Sequence, residues 1–226
     1  MPIIPEFEDF TTHYNAGKNQ VIYTRLAADL DTPVSLMMKL TGGQKDSFVL
    51  ESVTGGEVRG RYSIVGMKPD LIWKCEGKKS YLNRDARFDK DGYVLQSKPP
   101  LSALRELLKE SHIDLPGLFG YLGYDMIRLV EHLPNINPDP IGLPDSIFLR
   151  PTVIAVLDGV KGEVILVAPV WHNSSVSPKA AYAQAAERIM DAVRDLERPV
   201  PDPRRLGAPD EAASLKSNFS KQDYIE

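Results

Sequence analysis

The sequence predicts an α+β fold built on a largely antiparallel sheet, and three observations carry that reading. Two β-branched runs, Thr152 to Leu157 and Glu163 to Ala168, are joined through Asp158-Gly159 and Lys161-Gly162, a hairpin pattern. A second pair of runs, Asp70 to Cys75 and Lys79 to Leu82, flanks Glu76-Gly77 in the same way. Three further stretches, opening at Thr32-Pro33, Pro99-Pro100 and Ser177-Pro178, carry apolar residues at helical spacing.

The elements follow in order. Thr32 can cap a helix and Pro33 suits its first position. Leu36, Met37 and Leu40 then share a face, and Gly42-Gly43 ends the helix. Strands are expected from Phe48 through Gly66, followed by the 70–82 hairpin. Pro99-Pro100 opens a second helix with Leu101, Leu104, Leu107 and Leu108 as its stripe. After the 152–168 hairpin, Ser177-Pro178 starts a long helix on which Tyr182, Ala185, Ile189, Val193 and Leu196 recur. Prolines 199, 201, 203 and 209 then predict an extended connector. Ser220 with Asp223 has the pattern of a helix start. A helix that short does not offset its nucleation cost, so 217–226 is expected to be poorly ordered or docked on a neighbour. The expected organisation is a domain over 1–198, a linker over 199–216 and, over 217–226, the truncated start of a further domain.

Composition excludes several function classes. At 226 residues, with 42% hydrophobic and 26% charged, the chain can bury one sizeable core or two small ones. A net charge of −4 argues against nucleic acid or an anionic membrane as partner. No run reaches the roughly 20 apolar residues that span a membrane, and Met1-Pro2-Ile3-Ile4-Pro5 lacks the pattern of a signal peptide. A cytoplasmic protein is the expectation. The one cysteine, Cys75, lies in an expected strand beside Trp73 and reads as a packed thiol. The four histidines are scattered without metal-ligand spacing. No G-x-S-x-G elbow or paired acid and base stands out, so no catalytic residue is assigned.

One segment is chemically unusual. The apolar run Phe48-Val49-Leu50 ends in Glu51-Ser52, passes Gly55-Gly56, and re-enters a strand through Gly60-Arg61-Tyr62-Ser63. Glu51 can hold an ammonium, Ser52 can donate or accept, and Arg61 can clamp a carboxylate. The set suits a small zwitterion such as an amino acid. The same residues also suit a plain hairpin whose Glu51 and Arg61 pair with each other. Further on, Asp125, Arg128 and Glu131 are spaced to pair along a helix, as a polar cluster at a domain interface or active-site mouth, or as an ordinary solvated face. Gly120 and Gly123 suit a close backbone approach.

These segments resemble the large, chorismate-utilising subunit of anthranilate synthase (component I). The Leu50-Glu51-Ser52 and Gly60-Arg61-Tyr62-Ser63 pair is similar to that family's LLES…GRYS signature. Gly120-Tyr121-Leu122-Gly123-Tyr124-Asp125 through Arg128 to Glu131 is similar to its GYxGYDxxRxxE segment, followed by Leu133-Pro134. Thr32-Pro33-Val34, Leu143-Pro144-Asp145 and Ser217-Asn218-Phe219-Ser220 fit in the same order. The resemblance implies an α/β sandwich with largely antiparallel sheets. It implies conversion of chorismate and ammonia to anthranilate and pyruvate in tryptophan biosynthesis, with Mg2+ required. The ammonia would come from glutamine through a glutamine amidotransferase partner (component II). It further implies an L-tryptophan feedback site that includes Glu51, Ser52, Arg61 and Tyr62. Catalytic and Mg2+-binding groups would lie beyond Glu226, so the chain is expected to be an N-terminal region without activity of its own. Two other readings stand beside this one: the large subunit of aminodeoxychorismate synthase, in the folate pathway, and a non-catalytic amino-acid-binding module.

Overall fold

A computed structural model describes residues 1–51, 60–113, 117–134, 138–200 and 222. Ser52, the Gly55-Gly56 break, the prolines from 201 on and the expected helix start at Ser220 lie outside the described residues. The strands are β1 (Gln20–Ala27), β2 (Phe48–Leu50), β3 (Tyr62–Glu76), β4 (Lys79–Asn83), β5 (Val94–Leu95), β6 (Phe119–Leu122), β7 (Ser146–Asp158) and β8 (Glu163–Val170). The helices are α1 (Phe7–Asn15), α2 (Pro33–Thr41), α3 (Pro100–Glu110) and α4 (Pro178–Leu196), with a 3₁₀ turn over Tyr124–Leu129. The fold is α+β. Among the described residues one eight-stranded sheet runs β1-β8-β7-β3-β4-β5, with β2 beside β3 and β6 beside β7. Every pairing is antiparallel.

β3 and β7 form the spine, from Tyr62 opposite Asp158 to Cys75 opposite Ser146. The sequence predicts a strand ending at Gly66 and a separate hairpin strand from Asp70. The structure joins them into one strand. The ladder shifts between Pro69 and Leu71, where Lys68 has φ 52°. Proline has no N–H to give the ladder, and a bulge absorbs the irregularity. The Thr152 hydroxyl donates to the Lys68 carbonyl at 2.6 Å and bridges the gap.

Two lobes share this spine. In the first, alternation sends Val65, Met67, Val153, Ala155 and Leu166 to a core closed by α1, α2 and α4. Phe10 and Ile189 are fully buried there, each stabilising by roughly 1.5–3 kcal/mol. The caps form as the sequence predicts. Thr32 and Ser35 bond reciprocally, Gly42 takes φ 56° at the end of α2, and Ser177 accepts from the Ala180 N–H. The opposite face of this lobe is also apolar, with Ile64, Val156, Ile165 and Phe48 half-buried around Phe119, Ile154 and Val167.

The second lobe packs Leu71, Trp73 and Leu82 against Leu104 and Leu107 of α3 and Met126 of the 3₁₀ turn. Leu108, expected in the α3 stripe, instead faces outward. Cys75 is fully buried, its Sγ 3.4 Å from the Gly77 carbonyl, and burial pushes its pKa up to about 11, which fits a packed thiol. Among the described residues no helix is long and apolar enough to cross a membrane.

Candidate functional site

Antiparallel pairing brings the Glu51 and Arg61 ends of the unusual segment to one edge of the sheet. Phe48 lies opposite Gly66 and Leu50 opposite Ile64, so β2 delivers Glu51 toward the start of β3. The register is pinned by close contact. A Cβ on Gly66 would sit 2.2 Å from the Phe48 ring, so a larger residue there would have to displace that ring. Phe48 in turn stacks on Phe119 with centroids 4.7 Å apart.

Arg61 does not pair with Glu51, which corrects the plain-hairpin alternative. Its guanidinium forks onto Asp158 at the end of β7, with Nε to Oδ1 at 2.9 Å and Nη2 to Oδ2 at 2.6 Å. Asp158 Oδ1 also accepts from the Val160 and Lys161 N–H groups at 3.1 and 3.2 Å. The Gly159 N–H donates back to the Arg61 carbonyl at 2.9 Å. The carboxylate is only 2% exposed. The Arg61 fork, aided by the turn N–H groups, holds it well below the usual range, at about 2. Arg61 itself is 29% exposed, and its charge lies 5.0 Å from the Tyr62 ring centroid. Tyr62 and Glu51 are both exposed. Ser52 lies outside the described residues. The edge therefore presents a guanidinium already paired with Asp158 beside an exposed aromatic ring, with Glu51 reaching the same end of the sheet.

Asp158 is the residue sequence reasoning missed. It stands in a hairpin turn, where aspartate is ordinary, because its side chain accepts from N–H groups just ahead. The available signal was position: it closes an apolar run and cannot be buried without a partner.

The GYLGYD segment makes the other conspicuous contacts. A Cβ on Gly120 would meet the Ile147 carbonyl oxygen at 1.8 Å, and one on Gly123 the Asp145 oxygen at 2.7 Å, as the close-approach reading expects. Tyr121 OH donates to the Pro144 carbonyl at 2.5 Å. Asp125 and Arg128 pair at 2.5 Å, but on a 3₁₀ turn. Glu131 follows that turn rather than extending the pair along an α-helix. Among the described residues no group of three or more His, Cys, Asp or Glu side chains is placed to hold a metal.

No family model matches the chain. Comparison with individual proteins is more informative. It is 59% identical over 226 residues to anthranilate synthase component 1 of Cereibacter sphaeroides, covering 96% of this chain and 45% of that protein. It is 36% identical over 210 residues to the component 1 of Thermus thermophilus, covering 88% and 40%. A crystal structure of anthranilate synthase component I from Streptococcus pneumoniae aligns with a TM-score of 0.48 and 28% identity, covering 80% of this chain and 38% of that one. The chain thus spans less than half the length of these relatives. By sequence it belongs with the N-terminal region of the anthranilate synthase component 1 proteins.

Proposed function

We propose that this chain is the N-terminal, tryptophan-binding part of an anthranilate synthase component 1, laid out as the 1–198 domain, 199–216 linker and 217–226 entry to a chorismate-binding domain. The observation that carries this reading is the 59% identity over 96% of the chain. The whole protein would convert chorismate and ammonia to anthranilate and pyruvate in the cytoplasm. It would take ammonia from a glutamine amidotransferase partner and use Mg2+ held by residues outside this chain. No step of that chemistry is assigned to the described residues.

The second apolar face of the first lobe supports the domain layout. Strands apolar on both faces belong to sheets covered on both sides. Here helices cover only one face among the described residues. We assign the other face to the chorismate-binding domain.

For the inhibitor, Arg61 supplies a guanidinium locked in place by Asp158, and Tyr62 an aromatic surface beside it. Glu51 would take the ammonium and Ser52 a further hydrogen bond. The test is tryptophan inhibition of the full-length enzyme, followed by anthranilate fluorescence. Ser52→Ala should weaken inhibition roughly tenfold to a hundredfold, as for a lost bond to a charged group worth about 1.5–3 kcal/mol, with turnover nearly intact. An unchanged inhibition constant would refute the assignment of the site.

A further inference from the structure

Away from the Arg61 edge, a cleft of about 660 Å³ opens between the middle of β7, the end of β8, α1 and α4. It shares no lining residue with that edge. Three arginines line it, Arg87, Arg150 and Arg188, against two carboxylates, Asp70 and Glu110.

Both carboxylates are already committed. Asp70 takes the Arg150 fork at 2.9 and 2.8 Å. Glu110 takes the fork of Arg84, which stands outside the cleft, at 2.6 and 2.8 Å, with Arg150 3.6 Å away. Arg87 and Arg188 have no carboxylate within ion-pair distance among the described residues. Arg188 is anchored by one bond, from Nη2 to the Pro169 carbonyl at 2.9 Å, and its buried Nε has no partner there. The Trp171 indole N–H in the same wall is also buried without a partner. Burial lowers the Arg188 pKa and the neighbouring Arg87 charge lowers it further, while the Asp70 charge, already paired with Arg150, offsets this in part. A desolvated cation next to a like charge is costly without a counter-ion.

We propose that the cleft binds a small oxyanion, the phosphate or carboxylate group of a metabolite, between Arg87 and Arg188. The two guanidiniums offer planar forks that match either group. This site is independent of the tryptophan reading and would stand if that reading failed.

The experiment uses the intact chain, with inorganic phosphate and citrate as probes against sodium chloride at equal ionic strength. The readout is the thermal midpoint. Phosphate or citrate should raise it saturably where chloride does not. Arg87→Ala removes an exposed side chain that makes no hydrogen bond among the described residues, so it should leave the fold intact. It should weaken the apparent affinity at least tenfold. Arg188→Gln should do the same, and Arg105→Ala on α3 should leave it unchanged. Absence of a saturable response to either probe would overturn the proposal. So would an equal response in wild type and Arg87→Ala.

Discussion

Two arginine–aspartate forks tie β3 to β7, and they bury opposite partners. At the end of the pairing, Asp158 is 2% exposed and Arg61 29%. In its middle, Arg150 is 11% exposed and Asp70 30%. Arg150 also lies 4.2 Å from the Trp171 ring centroid and approaches the Ser111 hydroxyl at 3.4 Å, so its charge is enclosed by protein. Arg61 turns its charge outward beside Tyr62. The same bond therefore serves two ends. With the arginine buried it joins β7 to the α3 region, and with the aspartate buried it fixes a paired guanidinium at the surface. Which partner water reaches decides what the fork can do besides hold.

Removing the more exposed member of each fork strands the buried one, and the two losses should differ. Asp70→Ala leaves Arg150 enclosed, with the Ser111 hydroxyl at 3.4 Å and Glu110 at 3.6 Å as its remaining acceptors. It should cost about 3 kcal/mol of unfolding free energy in urea, the low end for a broken buried pair, because Glu110 remains nearby. A loss no larger than that of Arg61→Ala would erase the contrast. Arg61→Ala should cost less, because Asp158 keeps its Val160 and Lys161 N–H bonds. It makes Arg61 a compromised probe of inhibitor binding, so Ser52→Ala is the cleaner variant.

Acid sharpens the comparison next. The Asp158 pKa is lowered from 3.8 to about 2 in the folded state. A depressed carboxylate stabilises fully above its unfolded value and loses that contribution as pH falls from about 4 toward 2. Unfolding measured over that window should fall more steeply in wild type than in Asp158→Asn, and equal slopes would remove the fork from the acid response. The smallest effect is expected of Ser52→Ala on stability, within about 0.5 kcal/mol. A larger loss would give Ser52 a structural role instead of a ligand-binding one.

The parts legible in sequence were those whose cause is local. The 152–168 hairpin declared itself through its turn glycines, and α2 and α4 through Thr32, Pro33, Ser177 and Pro178. The parts that were not legible depend on distant partners. α1 has no side-chain cap bond and few apolar residues. It is held by tertiary contacts such as the Phe10 ring 5.1 Å from Tyr182. β1 pairs with β8, Gln20 opposite Val170, and carries no turn to announce it. At the candidate edge, Glu51, Arg61 and Tyr62 were readable as a group, but the carboxylate holding Arg61 lies across the sheet on β7.

That pairing of β1 with β8 also bears on synthesis. β1 is made long before the strand it pairs with, since Ala27 must wait for Glu163. At about 5–20 residues per second the interval is on the order of ten seconds. Through it, an apolar strand stands with an unpaired edge, the condition in which nascent chains recruit chaperones or one another.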